Sequence, residues 1–265
     1  MNSSPAQPNL LRRLRAGDSI LGSWLNSGSP MLAELMASCG FDFLCVDAEH
    51  SAVDLSETQR LFQAIRSGNT ACAALVRLHG VDYALVKRYL DAGADGVIAP
   101  LVRSATEARQ LVQACKYPPV GMRGVGFCRA NGYGLRVEEE FRRANEEVLV
   151  AVQIEHIDAV EAIDEILSVP GIDAAFIGPY DLTASMGIPA QFSHAEYLAA
   201  RAKVLSACAR HRIVPGIHAV QPDPEAAERL LKEGYRFLAY SLDITMVSTS
   251  CQRGLAYLRN PAGGH

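Results

Sequence analysis

Several polar residues stand at the ends of apolar, β-branched runs, where a strand would deliver them to a common edge. Asp47 ends FDFLCVD with Glu49 and His50 just beyond it, and Arg77 ends ACAALVR. Gln153 and Glu155 close VLVAVQIE, and Gly178, Pro179, Tyr180 and Asp181 follow DAAFI. His218 lies in IVPGIHAV, and Ser241 and Asp243 end FLAYSLD. Glu155 and Asp181, with no cysteine beside them, make a hard oxygen site suited to Mg2+ or Mn2+ that keeps positions open for water and an oxygen-rich substrate. Asp47, three residues before His50, can fix an imidazole tautomer and raise its basicity. Arg77 is either an anchor for a carboxylate or enolate oxygen, or an ion-pair partner of Asp91 or Asp95. Asp181 could instead cap a helix opening at DLTASMG, and His218 could be a core histidine bonded to a neighbouring strand. The lysines, Lys87, Lys116, Lys203 and Lys232, end no apolar run, so Schiff-base chemistry has no nucleophile. Neither GxSxG, a Walker loop nor HExxH occurs. Gly121, Gly124 and Gly126 give GxxGxG, but it follows no strand and so fails as a dinucleotide fingerprint.

Eight such runs position these residues, beginning near Ile20, Phe41, Ala71, Gly96, Val148, Asp173, Ile213 and Phe237. Most are apolar throughout rather than alternating, as in parallel strands covered on both faces. Between them lie segments of helical period such as SPMLAELMASCG, with Gly40 as its C-cap, and DLSETQRLFQAIRSG, with Ser56 as the expected N-cap. The alternation predicts an α/β fold, a closed (β/α)8 TIM barrel forming one domain over 1–265, rather than a doubly wound sheet. In such barrels the active site forms at the C-terminal ends of the strands, which is where the polar residues fall. Residues 117–145, rich in Pro, Gly and Arg, read as an inserted loop.

Composition narrows the classes further. The chain has 265 residues, 49% of them hydrophobic, enough for one large core. It carries 25 Lys+Arg against 29 Asp+Glu without a basic block, so nucleic-acid binding is not expected. No apolar run approaches the ~20 residues of a membrane span. Its seven cysteines form no CxxC pair, which argues against a disulfide framework or zinc site and for a reducing, cytoplasmic setting. LLRRLRAG reads as a leading helix rather than a transit peptide.

GSWLNSGSP, FDFLCVDAEHS, LVRLHGVD, LDAGADGVIAPLV, YPPVGMRGVG, VAVQIE and FIGPYDLTASMG occur in that order over roughly residues 10–255. In these stretches the chain resembles the HpcH/HpaI family of metal-dependent class II pyruvate aldolases, relatives of 4-hydroxy-2-oxoheptanedioate aldolase and 2-dehydro-3-deoxyglucarate aldolase. The resemblance implies reversible cleavage of a 4-hydroxy-2-oxo acid to an aldehyde and pyruvate or hydroxypyruvate, through a metal-stabilised enolate. It implies that Glu155 and Asp181 bind a divalent metal, Mg2+ or Mn2+ with Co2+ as an alternative, with Gln153 nearby. Arg77 would face the enolate oxygen and His50, held by Asp47, would move protons. Glu49 would stand behind them, and Asp91 would pair with Arg77 or orient the His50–Asp47 pair. Backbone N–H groups in the Gly178-Pro179-Tyr180 turn and at Asp181 would hold the substrate carboxylate, and Trp24, Leu101, Val120 and His218 would line the aldehyde pocket. A homo-oligomer is implied too, a hexamer of paired barrels that exchange a C-terminal helix. Two positions depart from the family: Tyr180, commonly small there, and His218, apolar in several relatives. The alternatives are an acyl-CoA lyase of the citrate-lyase β type, with Arg123, Arg129 and Arg136 as the basic residues available to CoA phosphates, or a metal-binding barrel without catalysis.

Overall fold

The apolar runs become eight parallel strands: β1 (Ile20–Leu25), β2 (Phe43–Asp47), β3 (Ala73–Arg77), β4 (Gly96–Ala99), β5 (Leu149–Ile154), β6 (Ala174–Ile177), β7 (Val214–Ala219) and β8 (Phe237–Leu242). Each pairs with the next and β8 returns to β1, so the computed structural model, which describes residues 10–259, is a closed barrel. The helices up to the insertion are α1 (Leu10–Arg15), α2 (Pro30–Ser38), α3 (Leu55–Gly68), α4 (Tyr83–Asp91) and α5 (Ala105–Cys115). Then come α6 (Val137–Glu147), which begins within the segment, α7 (Ile157–Glu161), α8 (Ile163–Leu167), α9 (Pro179–Ser185), α10 (Ala195–His211), α11 (Pro224–Glu233) and α12 (Asp243–Arg259). Of the single domain expected over 1–265, residues 1–9 and 260–265 lie outside the described residues.

A period of two along each strand decides what the barrel holds. One set of alternate residues, including Val46, Ala74, Val76, Val150 and Val152, packs outward against the helices. The other set fills the barrel: Phe43 and Cys45, Ala73 and Leu75, Leu149 and Ala151, Ala174 and Phe176, Phe237 and Ala239. Continued by two residues, these inward series end on Asp47, Arg77, Gln153, Gly178 and Ser241. The residues that fill the barrel and the residues that could do chemistry are therefore one register. Phe237 anchors the interior against Phe43 and Phe176, with ring centroids 4.7 and 5.3 Å away. Gly22 leaves room for Phe43, whose ring would lie 2.3 Å from a Cβ placed there.

The N-terminal end is closed by Leu10, Leu11 and Leu14 of α1, which join the interior cluster. It is also clamped by a repeated device. Asp42, Asp95 and Asp173, each one residue before an even-numbered strand, accept the backbone N–H of Leu21, Ala74 and Val150 on the preceding odd strand, at 2.8, 2.7 and 3.0 Å. Each carboxylate also takes an arginine, Arg13, Arg66 and Arg15 in turn.

Local expectations are corrected in three places. Asp54, not Ser56, caps α3, because its carboxylate reaches Glu57 N while the Glu57 side chain returns to Asp54 N. The segment 117–145 is not all loop: EEEFRRAN lies in α6, whose buried Glu140 takes Arg143 and, at 3.7 Å, Arg123. Asp181 is in the first turn of α9, and the capping position falls to Gly178.

Removing one clamp tests the closure. Asp95→Ala leaves the Ala74 N–H and one terminal nitrogen of Arg66 without an acceptor, and the expected cost is about 3 kcal/mol. A clearly lowered thermal midpoint is predicted, and an unchanged one contradicts the clamp.

Candidate active site

At the C-terminal rim, Asp47 is fully buried and accepts five hydrogen bonds. Its Oδ1 takes Glu49 N and His50 N, both at 3.1 Å, and Arg77 Nε at 2.9 Å. Its Oδ2 takes Asn26 Nδ2 at 2.6 Å and an Arg77 terminal nitrogen at 2.5 Å. Burial alone would push this carboxyl up, but the Arg77 fork outweighs it and holds Asp47 below the usual carboxylate range. Arg77 also lies 4.5 Å over the Trp24 ring and 3.5 Å from Glu49 Oε2.

This saturation corrects two expectations. With its oxygens occupied, Asp47 touches His50 through the backbone N–H, not the imidazole. The ring is exposed, and its Nε2 lies 3.6 Å from Glu49 Oε2. Nor does Arg77 pair with Asp91 or Asp95. Asp91 ends α4 at the opposite end of the barrel and takes Arg123 at 2.9 Å, while Asp95 takes Arg66. Asn26 was not singled out in the sequence. Its only signal is its place two residues beyond Trp24 on the inward series of β1.

Glu155 is 3% exposed and has no cationic partner within ion-pair distance among the described residues. Its Oε1 accepts Leu101 N at 2.8 Å, and its Oε2 accepts the Gln153 amide. Gly178 packs so closely that a Cβ there would stand 2.6 Å from Oε2. Burial, with Glu49 and Asp181 adding like charge, pushes the Glu155 carboxyl up to about 7. The buried Gln153 Oε1 has no hydrogen-bond partner. Such a site fits a divalent cation: a buried carboxylate short of positive charge, a second carboxylate at Asp181 and an unspent amide oxygen. No group of three or more His, Cys, Asp or Glu side chains is poised for a metal among the described residues, so water and substrate would complete the coordination of such an ion.

A cavity of about 240 Å³ opens over Gln153 and Asp181, lined also by Trp24, Asn26, Arg77, Phe176 and His218. Tyr180 stands at its lip and leans on Phe192, with ring centroids 4.9 Å apart. His218 places Nε2 3.1 Å from the Ser241 carbonyl, and its ring lies 5.4 Å from Trp24. Burial pushes this imidazole down to about 4. Since a carbonyl only accepts, the proton sits on Nε2 and Nδ1 is left as an acceptor. Two expected wall residues are not part of the cavity lining. Leu101 is exposed and meets the site through its N–H. Val120 is also exposed, in the turn after α5, where Lys116 bonds the carbonyl of Val148 at the foot of β5.

The model of the family described as HpcH/HpaI aldolase/citrate lyase matches residues 21–250. The chain is 35% identical to the hydroxypyruvate/pyruvate aldolase of Paraburkholderia phytofirmans, over 95% of this chain and 97% of that one. It is 36% identical to the 2-keto-3-deoxy-L-rhamnonate aldolase of Salmonella gallinarum, over 93% and 91%. The crystal structure of an HpcH/HpaI aldolase from Desulfitobacterium hafniense matches with a TM-score of 0.90 and 34% identity, over 98% of this chain and 99% of that one. Fold and site together define a carbon–carbon lyase of the class II aldolase kind. The chain belongs to the HpcH/HpaI aldolase/citrate lyase family.

The depressed His218 gives a pH prediction. Its folded value lies below the unfolded 6.5, so protons favour the unfolded chain as pH falls from about 6.5 to about 4. The wild type should lose about 2 kcal/mol over that window relative to His218→Leu, seen as converging or crossing thermal midpoints, and show no such trend above pH 6.5. A constant difference across the window contradicts the assignment of a neutral imidazole.

Proposed function

We propose that this chain cleaves a 4-hydroxy-2-oxo acid reversibly to an aldehyde and pyruvate or hydroxypyruvate. The observation that carries the reading is Glu155, a buried carboxylate without a cationic partner beside Gln153 and Asp181. A divalent cation held by Glu155 and Asp181, with the Gln153 oxygen beside them, would supply Lewis-acid stabilisation of the developing enolate charge; Mg2+ or Mn2+ suits this oxygen set, with Co2+ as an alternative. Arg77, kept rigid by its fork on Asp47, places a permanent positive charge at the substrate's keto oxygen. In cleavage the C4 hydroxyl proton leaves to His50, the C3–C4 bond breaks to release the aldehyde, and its electron pair forms the enolate. Reprotonation at C3 gives the 2-oxo acid. His50, beside Glu49 rather than Asp47, is free at the surface to exchange that proton. The first-turn N–H groups of Tyr180 and Asp181 have no intrahelical acceptor and suit the substrate carboxylate.

The acceptor end favours a hydroxylated aldehyde, because neutral His218 offers Nδ1 to a hydroxyl proton and offers nothing to a carboxylate. The acyl-CoA reading is weaker. Arg123 is 1% exposed, stacks 4.5 Å from the Tyr117 ring and pairs with Asp91 away from the rim. The chain also suits a homo-oligomer, a hexamer of paired barrels exchanging the C-terminal helix. Along α12 only Asp243 is buried, while Ile244, Val247, Leu255, Tyr257 and Leu258 are 48–73% exposed. A solution mass of one chain by light scattering would overturn that assembly. All seven cysteines are free, which fits the cytoplasm, and no helix among the described residues is long and apolar enough to cross a membrane.

Glu155→Ala tests the reading directly. Calorimetry should show Mn2+ binding lost, and cleavage should fall by about a thousandfold. Cleavage that persists in a variant unable to bind Mn2+ would show that the carboxylate assignment is wrong.

A further inference from the structure

At the end of the barrel opposite the rim lies a larger cavity, of about 680 Å³. Its walls are the end of α1, the segments that lead into β6 and β7, and Arg236 just before β8. We propose that it is a binding site for a small organic phosphate, a phosphomonoester with a compact body.

The clamp pattern breaks at one strand. The residue before β2, β4 and β6 is Asp42, Asp95 and Asp173; before β8 it is Arg236. The backbone register is the same at all four, since their N–H groups bond the carbonyls of Leu21, Ala74, Val150 and Pro215. At the first three, the odd-strand residue also has an N–H that the aspartate accepts. At the fourth that residue is Pro215, which has no N–H. The clamp has nothing to hold there, so an acid is not required, and the position carries a cation.

Arg236 meets no carboxylate among the described residues. One terminal nitrogen donates to the carbonyls of Leu231 and Tyr235, at 3.0 and 2.9 Å. The exposed side chain of Arg212, on the same cavity wall, has no hydrogen-bond or ion-pair partner among the described residues. It also ends α10 in the left-handed region, at φ 57°, a position that usually goes to glycine or asparagine. Retaining arginine there has a backbone cost without a contact in return. The cavity's other basic side chains are already matched: Arg15 takes Asp173 at 2.9 Å and His211 takes Asp164 at 2.8 Å.

Two guanidinium groups without a carboxylate partner among the described residues therefore line one cavity, and a phosphomonoester brings close to two negative charges with three strong acceptor oxygens. Val169, Ile172 and Ile213 supply an apolar wall for its organic part. Residues 1–9, which lead into α1 beside this cavity, contain no acidic side chain that could act as the counter-charge.

The test uses the full-length protein and glucose 6-phosphate as probe, by isothermal titration calorimetry. The expected result is saturable binding that weakens with added salt, is competed by inorganic phosphate and is absent for glucose. Arg212→Gly removes the charge while relieving the left-handed backbone. It should weaken binding at least about tenfold, without lowering the thermal midpoint or the aldol cleavage rate. Equal affinity in wild type and Arg212→Gly would overturn the site, as would equal binding of glucose and its phosphate or no binding of the phosphate. The binding readouts need no catalysis, so they stand apart from any failure of the aldolase reading.

Discussion

A carboxylate buried without a positive partner sets the terms for the rim of this barrel. An ionised carboxylate in such a place is strongly disfavoured unless something charged or strongly hydrogen-bonding meets it. Glu155 has a backbone N–H, an amide and a glycine pressed against it, and the arginine of the rim, Arg77, is committed to Asp47. Two further acids, Glu49 and Asp181, add to the negative field. This charge balance is what supports the proposed cation at the rim, since no ion pair among the described residues neutralises Glu155.

The Asp47–Arg77 pair depends on the same geometry. The inward series of β2 and β3 place the two side chains on neighbouring strands, with Asp47 directly beside Arg77 in register. Asn26 and two backbone N–H groups complete the carboxylate, so Arg77 is held by a partner that cannot turn away. Rigidity at this position has a chemical use, because a donor fixed before the charge develops needs no reorganisation when it does.

Much of this was legible in the sequence, because apolar runs in a barrel end where chemistry begins. The eight strands, the convergence of Asp47, Arg77, Gln153, Glu155 and Asp181, and the exclusion of a lysine nucleophile all follow from that rule. What escaped was the choice among partners. Sequence spacing placed Asp47 near His50 but could not show that Arg77 and Asn26 consume its oxygens and leave the imidazole to Glu49. Asp91 and Val120 were drawn towards the rim by resemblance, whereas α4 and α5 carry them to the opposite end. The helix α6 was hidden by the Pro, Gly and Arg of the segment before it. The Asp42, Asp95 and Asp173 clamps were visible as residues, but their function appears only when the strand register is known.

The account stands or falls on a cation at Glu155 supporting aldol cleavage. The most direct measurement is pyruvate or hydroxypyruvate release from a panel of 4-hydroxy-2-oxo acids, hydroxylated and unsubstituted at the aldehyde end, with EDTA and then with Mg2+ or Mn2+ restored. The prediction is release that EDTA abolishes and the metal restores, fastest for hydroxylated members. Release that is indifferent to EDTA, or silence across the panel in metal-replete protein, would contradict it.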